Sequence, residues 1–226
     1  MTDTTVVEMK EVTRIFPGSP PVNAVRSVDL RVNERDYVSI AGPSGSGKST
    51  LLNLIGCLDR PTRGTYMLRG VDVGALTDGR RAGLRGKEIG FVFQIFHLLP
   101  HRTVTENVMT GMLYNRTPRA DRRRLAVKAI GRVGLDHRAD FLPTRLSGGE
   151  QQRVAIARAI AASPSVLLCD EPTGNLDSKT TESLLELFDE LRDAGLTLVV
   201  VTHDPMVSQR ADRRLEMVDG VMTGAA

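Results

Sequence analysis

At residues 42–49 the chain reads Gly42-Pro43-Ser44-Gly45-Ser46-Gly47-Lys48-Ser49, followed by Thr50. This run fits the pattern GxxxxGK[ST] and comes directly after the apolar stretch Tyr37–Ala41, which predicts a strand, a loop and then a helix. Glycines permit backbone dihedrals that turn successive N–H groups inward, and the helix start adds its positive dipole end. The run therefore predicts a phosphate-binding loop, in which Lys48 reaches the β- and γ-phosphates and Ser49 ligates Mg²⁺.

A second candidate element is a pair of carboxylates, Asp170 and Glu171, directly after the apolar run Val166–Cys169. A strand that ends in a carboxylate beside a phosphate loop can supply the Mg²⁺-positioning half of such a site. We assign that role to Asp170, acting through a coordinated water. Successive side chains of an extended chain point to opposite sides, so Glu171 is free to hold the attacking water as a catalytic residue.

A third element is the run Leu146-Ser147-Gly148-Gly149-Glu150-Gln151-Gln152-Arg153. Its serine is suited to cap a helix, with a glutamate in the first turn. A helix N-terminus that opens on glycines is also a good phosphate site, so Ser147–Gly149 are candidate nucleotide-binding residues. Because residues 42–49 already enclose the phosphates within one chain, this second site is expected to act on a nucleotide held by a second copy.

Together these motifs resemble those of ABC transporter nucleotide-binding domains, and the resemblance covers nearly the whole chain. It implies an ATPase that uses ATP and Mg²⁺ and works as a dimer, with each ATP between Gly42–Ser49 of one copy and Ser147–Gly149 of the other. It also implies a catalytic role for Lys48 beside Glu171, and an α/β fold of the P-loop NTPase kind.

Further residues follow in the family's order. Gln94 resembles the Q-loop glutamine that senses Mg²⁺ and the water, which makes it a candidate catalytic residue and metal ligand. Asp177 closes Asn175-Leu176-Asp177, which resembles the D-loop at the dimer interface and makes Asp177 a candidate nucleotide-binding residue. His203 resembles the switch histidine that contacts the γ-phosphate, which makes it a candidate catalytic residue. Phe16 stands where the family places an aromatic ring on adenine, commonly Tyr. A phenylalanine can still stack there but offers no hydroxyl.

A narrower likeness lies in two stretches, Leu54–Tyr66 and Phe91–Pro100, which are similar to the macrolide-exporter, lipoprotein-release and cell-division ATPases. That group implies a separate membrane permease with few transmembrane helices and often a large extracytoplasmic domain. Phe96, Leu98 and Leu99 follow the Q-loop glutamine. They are either core residues or part of a groove for a short cytoplasmic helix of the permease, the helix-in-groove mode of recognition.

Alternating strand and helix patterns predict a mainly parallel sheet with an N-terminal antiparallel β portion and an inserted α-helical subdomain. The core is expected at about residues 1–93 and 164–226, and the helical subdomain at about 94–163. Helical patterns between residues 103 and 162 break at Pro118, Gly134 and Pro143. The segment Asp78–Lys87 carries glycines where helix is expected, so its conformation is left open.

Composition limits the other functions. The 226 residues are 41% hydrophobic and 25% charged, with a net charge of +3, as in ordinary globular proteins. Arginine clusters at residues 80–87 and 116–124 are better explained by solvated helix faces, or by weak attraction to anionic lipid headgroups, than by nucleic acid, because aromatic residues make up only 4%. Cys57 and Cys169 lack CxxC spacing and are expected to be buried free thiols.

The expected function is an ATP-hydrolysing subunit that couples dimer closure to a membrane permease, for export or for work on the far side of the membrane. No apolar run is long enough to cross a bilayer and no leader pattern is present, so we expect a cytoplasmic protein held at the inner membrane face by its permease. Two alternatives stay open. One is an ATPase that regulates a cell-wall enzyme through a membrane partner, and the other is an ABC ATPase without a transport role.

Overall fold

The computed structural model describes residues 4–115 and 117–223. Residues 1–3, Arg116 and residues 224–226 belong to ranges predicted above and lie outside the described residues. The elements, in chain order, are β1 (Thr5–Phe16), β2 (Val22–Asn33), β3 (Tyr37–Ala41), α1 (Lys48–Ile55), β4 (Arg63–Leu68), β5 (Val71–Asp72), α2 (Asp78–Glu88), β6 (Ile89–Phe93), α3 (Val104–Thr110), α4 (Arg119–Arg132), α5 (Gly148–Ile160), β7 (Val166–Asp170), α6 (Ser178–Asp193), β8 (Thr197–Thr202), α7 (Pro205–Arg210), β9 (Arg213–Val218) and β10 (Val221–Thr223). Short 3₁₀ turns occupy Asp136–Arg138 and Pro143–Arg145.

The larger sheet has the strand order β10-β9-β3-β8-β7-β6. Its strands are parallel, apart from the antiparallel pairing of β10 with β9. The register sets Ala41 opposite Thr202 and Asp170 opposite Val201. Because parallel strands end at the same edge, the segments that follow β3, β7 and β8 leave the sheet side by side.

The smaller sheet has the order β2-β1-β4-β5, and every pairing in it is antiparallel. It confirms the predicted N-terminal antiparallel portion. The long strands β1 and β2 pair over most of their length, from Thr5 opposite Asn33 to Phe16 opposite Val22. This pairing carries Phe16 to the end of the sheet at which β2 begins.

Two hydrophobic clusters pack on the two faces of the larger sheet. Along β8, Leu198 and Val200 belong to the cluster shared with α3–α6, whereas Val199 and Val201 belong to the cluster shared with α1 and the smaller sheet. Strand side chains alternate between faces, so an entirely apolar strand has to be covered on both sides. The helical block therefore shares a core with the sheet, and its predicted boundaries as a subdomain stay a prediction.

Helical breaks lie where the sequence indicates them. Pro118 precedes α4, Gly134 has a left-handed φ of 73° after α4, and Pro143 begins a 3₁₀ turn. The segment left open, Asp78–Lys87, is helical in α2. The Thr77 side chain caps it by accepting from the Arg80 N–H, and Gly79 and Gly83 face open space, so their small size costs no packing.

Candidate nucleotide-binding site

The loop between β3 and α1 has the backbone that its glycines predict. Gly42, Gly45 and Gly47 have φ values of 153°, 81° and 103°, and α1 begins at Lys48. A Cβ on Gly47 would lie 2.1 Å from the Ala24 carbonyl oxygen, and one on Gly42 would lie 2.1 Å from that of Met217. Glycine is therefore required for close packing as well as for dihedral freedom. Free N–H groups at the start of α1 face the concave side of such a loop, as anion binding requires.

Lys48 is nearly buried, with 8% of the residue exposed. Its Nζ donates to the carbonyl oxygens of Gly42 and Pro43, at 2.8 Å each. The loop thus supplies the ammonium with two acceptors. Phosphate oxygens would take the place of one or both of these neutral carbonyl acceptors. Because phosphate oxygens are charged, they accept stronger hydrogen bonds.

A cavity of about 730 Å³ extends from this loop across the end of the smaller sheet. Its lining is Phe16, Pro21, Val22, Asn23, Ala24, Arg26, Ser44, Gly45, Gly47, Lys48, Ser49, Thr50, Asp170, Glu171, Val201, Asp219 and Gly220. The Arg14 guanidinium carbon lies 4.4 Å from the centroid of the Phe16 ring and is itself paired with Asp59 at 2.7 Å. Phe16 is therefore held as one wall, with a cation on its ring. The cavity joins the predicted stacking residue to the phosphate loop and the carboxylates.

The end of β7 brings Asp170 into the cavity beside Lys48 and Ser49. Burial raises the pKa of the Asp170 carboxyl above its usual 3.8, and the neighbouring Glu171 raises it further, while Lys48 opposes both effects. Because burial and Glu171 disfavour the ionised form of Asp170, a cation that enters the site would stabilise that form. This is a property expected of a metal-positioning group.

Glu171 begins the turn after β7 in a left-handed conformation, with φ at 45°, and its N–H donates to the Val201 carbonyl at 2.9 Å. Its carboxylate is bound to the last residue of β8 and to the residue that follows it. One oxygen lies 2.8 Å from His203 Nδ1, and the other accepts from the Thr202 hydroxyl at 3.2 Å and the His203 N–H at 3.3 Å. Glu171 and His203, two of the four predicted catalytic residues, are therefore in direct contact.

Gln94 does not line this cavity in the described part of the chain. It lies against the turn after β7, where the Asn175 side-chain amide donates to the Gln94 carbonyl at 2.9 Å. A Cβ on Gly174 would come within 2.7 Å of Gln94 Nε2. The structure thus joins the Q-loop residue to the predicted D-loop, while its contact with a metal stays a prediction.

Ser147 caps α5 as predicted, because its hydroxyl accepts from the Glu150 N–H and the Glu150 carboxylate accepts from the Ser147 N–H at 2.8 Å. Asp177 likewise caps α6 through the Thr180 N–H, at 3.0 Å. Both caps are exposed. Neither they nor the glycines of α5 are among the described residues that line the cavity. The glycines therefore lie apart from the phosphate loop of the same chain, as the dimer hypothesis requires.

Sequence reasoning missed one wall of the cavity, formed by Asn23, Arg26, Asp219 and Gly220. The Asp-Gly pair is a recognisable hairpin signal between β9 and β10, and both residues have positive φ, 47° and 82°. The position of this turn beside the cavity could not be predicted from the sequence, because no local pattern shows that β9 pairs with β3. The Gly220 N–H donates to the Ser46 carbonyl at 2.9 Å, which attaches this turn to the phosphate loop.

A second cavity, of about 910 Å³, lies between α2 and the helical block. Its lining is more apolar than that of the first and includes Phe91, Phe93, His97, Leu113 and Tyr114. The predicted docking residues lie nearby in the chain but do not line it within the described ranges. The Phe96 carbonyl accepts from Arg158 at 2.9 Å, Leu98 packs on the helical core, and Leu99 is 48% exposed.

Comparison with known proteins places the chain. Residues 25–174 match the sequence profile of the ABC transporter family. An ABC transporter ATP-binding protein of Bacillus subtilis, YvrO, is 49% identical over 203 residues, which cover 90% of this chain and 89% of the relative. This protein is an ABC transporter ATP-binding subunit. Its fold agrees with that of the ATP-binding cassette MJ0796, solved as a dimer in a post-hydrolysis state with ADP and Pi, at a TM-score of 0.85 and 40% identity, covering 96% of this chain and 98% of that one.

The ABC subunit also matches an export protein. The macrolide export ATP-binding/permease protein MacB of Chlorobium luteolum is 46% identical over 220 residues, which cover 97% of this chain and 33% of the relative. The chain therefore corresponds to about a third of that protein. Among the described residues no helix of the ABC subunit is both long and apolar enough to span a membrane.

Proposed function

We propose that this ABC subunit hydrolyses ATP in a head-to-tail dimer and uses the closure and opening of that dimer to drive a separate membrane permease. The observation that carries the proposal is a division of the motifs. One cavity unites the phosphate loop, Asp170 and Glu171, while the glycines of α5 lie outside it. The binding site for an ATP in this cavity would be complete only when a second copy presents Ser147–Gly149 to the phosphates. The dimeric ADP·Pi state of the MJ0796 cassette supports this arrangement.

ATP would span the cavity with its adenine on Phe16 and its phosphates in the loop. The Arg14 guanidinium occupies one face of the ring, so the base would stack on the other. Lys48 would leave the carbonyls of Gly42 and Pro43 for the β- and γ-phosphates. Asp177, at the start of α6, would contact the partner across the dimer interface.

The residues present fit a bound Mg²⁺. A serine hydroxyl and one carboxylate, Ser49 and Asp170, line the cavity together, and Mg²⁺ commonly takes one or two protein oxygens plus waters and phosphate oxygens. No cluster of three or more His, Cys, Asp or Glu side chains suited to a metal occurs among the described residues, in keeping with a metal held largely by the nucleotide. Bound Mg²⁺ would neutralise charge that develops on the phosphates. Gln94 would join this set only after a shift away from Gly174.

Glu171 would orient and deprotonate the attacking water, and His203 would contact the γ-phosphate. The two side chains bind each other at 2.8 Å, so each would exchange part of this contact for the water or the γ-phosphate. Nucleotide-driven closure would bring about that exchange. Lys48 and the loop N–H groups would offset charge on the transferring phosphoryl group.

We propose that the permease docks at the second cavity and at the segment that carries Phe96, Leu98 and Leu99. The exposed apolar side chains Leu113 and Tyr114 at the cavity suit a short helix from the partner. Docking there would hold the ABC subunit at the inner face of the membrane. The likeness to MacB favours export or work on the far side of the membrane. Regulation of a cell-wall enzyme through the partner is the second candidate, because the same cassette could serve either.

The proposed function is tested by Glu171→Gln with Glu186→Gln, an exposed glutamate of α6, as the matched control. Turnover should fall about 10²- to 10⁴-fold, the usual effect of losing a general base, while ATP binding is kept. ATP should then trap a dimer that size-exclusion chromatography resolves. Turnover near that of the control would remove Glu171 from the chemistry, and a monomer with bound ATP would refute the sandwich.

A further inference from the structure

Gln152 lies one helical turn inside α5 and is fully buried. Its side-chain Nε2 donates to the carbonyl oxygen of Pro172 at 2.7 Å. Pro172 directly follows Glu171 in the turn after β7. A single side chain therefore joins the helix that begins at Ser147 to the backbone next to the proposed catalytic carboxylate.

The other half of the Gln152 amide is unusual. Its Oε1 is buried and has no hydrogen-bond partner among the described residues. Because a carbonyl can only accept, the amide must turn its NH₂ group toward Pro172, and the oxygen is left facing the interior. Burying an unpartnered carbonyl is unfavourable, and this cost offsets part of what the bond to Pro172 contributes to stability.

The parts that Gln152 connects are otherwise closely packed. A Cβ on Gly149 would lie 2.4 Å from Thr180 Cγ2, so the start of α5 rests on the start of α6. The turn itself is closed by the Gly174 N–H, which donates to the Glu171 carbonyl at 3.1 Å. These contacts form a continuous packed connection from the N-terminus of α5 to the backbone next to Glu171.

We infer that Gln152 is a positioning residue that communicates between the two ATP sites. The inference rests on the proposed function: Ser147–Gly149 contact the ATP held by the partner, while Glu171 acts on the ATP held by the same chain. Closure of α5 on the partner's nucleotide pulls Pro172 through Gln152 and orients Glu171 in its own site. Hydrolysis in one site then depends on occupancy of the other.

Gln152→Met removes both hydrogen-bonding groups and keeps the length of the side chain. We expect kcat to fall about 5- to 150-fold, the usual range of coupling between sites, with KM for ATP changed less than threefold. The Hill coefficient for ATP should drop toward 1. The melting temperature should fall somewhat, because the Pro172 carbonyl loses its donor, although the unpartnered Oε1 is lost at the same time. A merely structural residue would lower the melting temperature and leave both kcat and the Hill coefficient unchanged.

A sharper test uses two full chains joined by a flexible linker. In one fusion a single copy carries both Gln152→Met and Glu171→Gln, and the other copy is wild type. In the second fusion the two substitutions are on different copies. The fusions contain the same substitutions and differ only in their distribution, so each is the matched control of the other.

The inference requires the first fusion to turn over faster, because its intact Glu171 is in a chain with an intact Gln152. In the second fusion the only intact Glu171 belongs to the copy that carries Gln152→Met. The reverse order would show that Gln152 acts on the nucleotide of the partner, and equal rates would show no communication. Either result overturns the inference. If Glu171→Gln alone retains turnover, the proposed function fails, and the Gln152→Met homodimer still tests the coupling by itself.

Discussion

Lys48→Ala tests the phosphate loop directly, because the geometry sets the size of the effect. Lys48 is 8% exposed, and its ammonium donates to two carbonyl oxygens at 2.8 Å. In the proposed site, at least one of those contacts would be exchanged for a charged phosphate oxygen. A hydrogen bond between charged groups contributes about 1.5–3 kcal/mol, so the affinity for ATP should fall roughly 10- to 150-fold.

The free protein should also lose stability. Removing the ammonium deprives the carbonyls of Gly42 and Pro43 of their donor, and a carbonyl left buried without a partner costs about 1–3 kcal/mol. For a chain of this size that corresponds to a melting temperature lower by roughly 2–4 °C per kcal/mol. Binding of a fluorescent ATP analogue and thermal unfolding measure the two effects separately. Lys128→Ala, an exposed lysine of α4, is the control and should change neither. Affinity within about threefold of the wild type would refute the assignment of Lys48 to the phosphates.

Three further predictions use other contacts. Asp170→Asn should raise the melting temperature of the free protein at neutral pH, because burial and Glu171 raise the pKa of the Asp170 carboxyl and so disfavour its ionised form. The gain should shrink as the pH falls through that raised pKa and vanish below the usual 3.8; a gain that persists in acid would contradict this cause. Phe16→Ala should weaken ATP and ADP binding by similar factors, since both carry adenine, and an effect on ATP alone would place the base elsewhere. Phe96→Asp should keep basal ATPase activity but weaken co-purification with the permease; an unfolded or inactive variant would make Phe96 a core residue.

The sequence predicted the parts of the site that are local. The phosphate loop, the capped start of α5 and the acidic end of β7 each depend on neighbours within a few residues, so their residue types suffice to find them. The edge at which they meet was also predictable, because parallel strands end together. These motifs also led to the correct family.

What could not be predicted depends on contacts between distant segments. The wall formed by Arg26 and Asp219 needs the pairing of β9 with β3, which no local pattern encodes. The bonds of Lys48 to its own loop and of Glu171 to His203 depend on exact side-chain positions. Likewise, glycines lowered the expectation of helix in α2, where the Thr77 cap and an open surface compensate for them.

The attachment of Gly220 to Ser46 has a consequence for synthesis of the chain. Strand β3, which leads into the phosphate loop, lies between β8 and β9, and both neighbours come far later in the sequence. While the ribosome is still making the chain, the loop has neither its flanking strands nor the turn that closes its cavity. A nascent chain should therefore acquire nucleotide affinity only after residue 220 has left the exit tunnel. Until then the apolar strand Tyr37–Ala41 is exposed, which makes it a natural target for chaperones that bind unpaired strands.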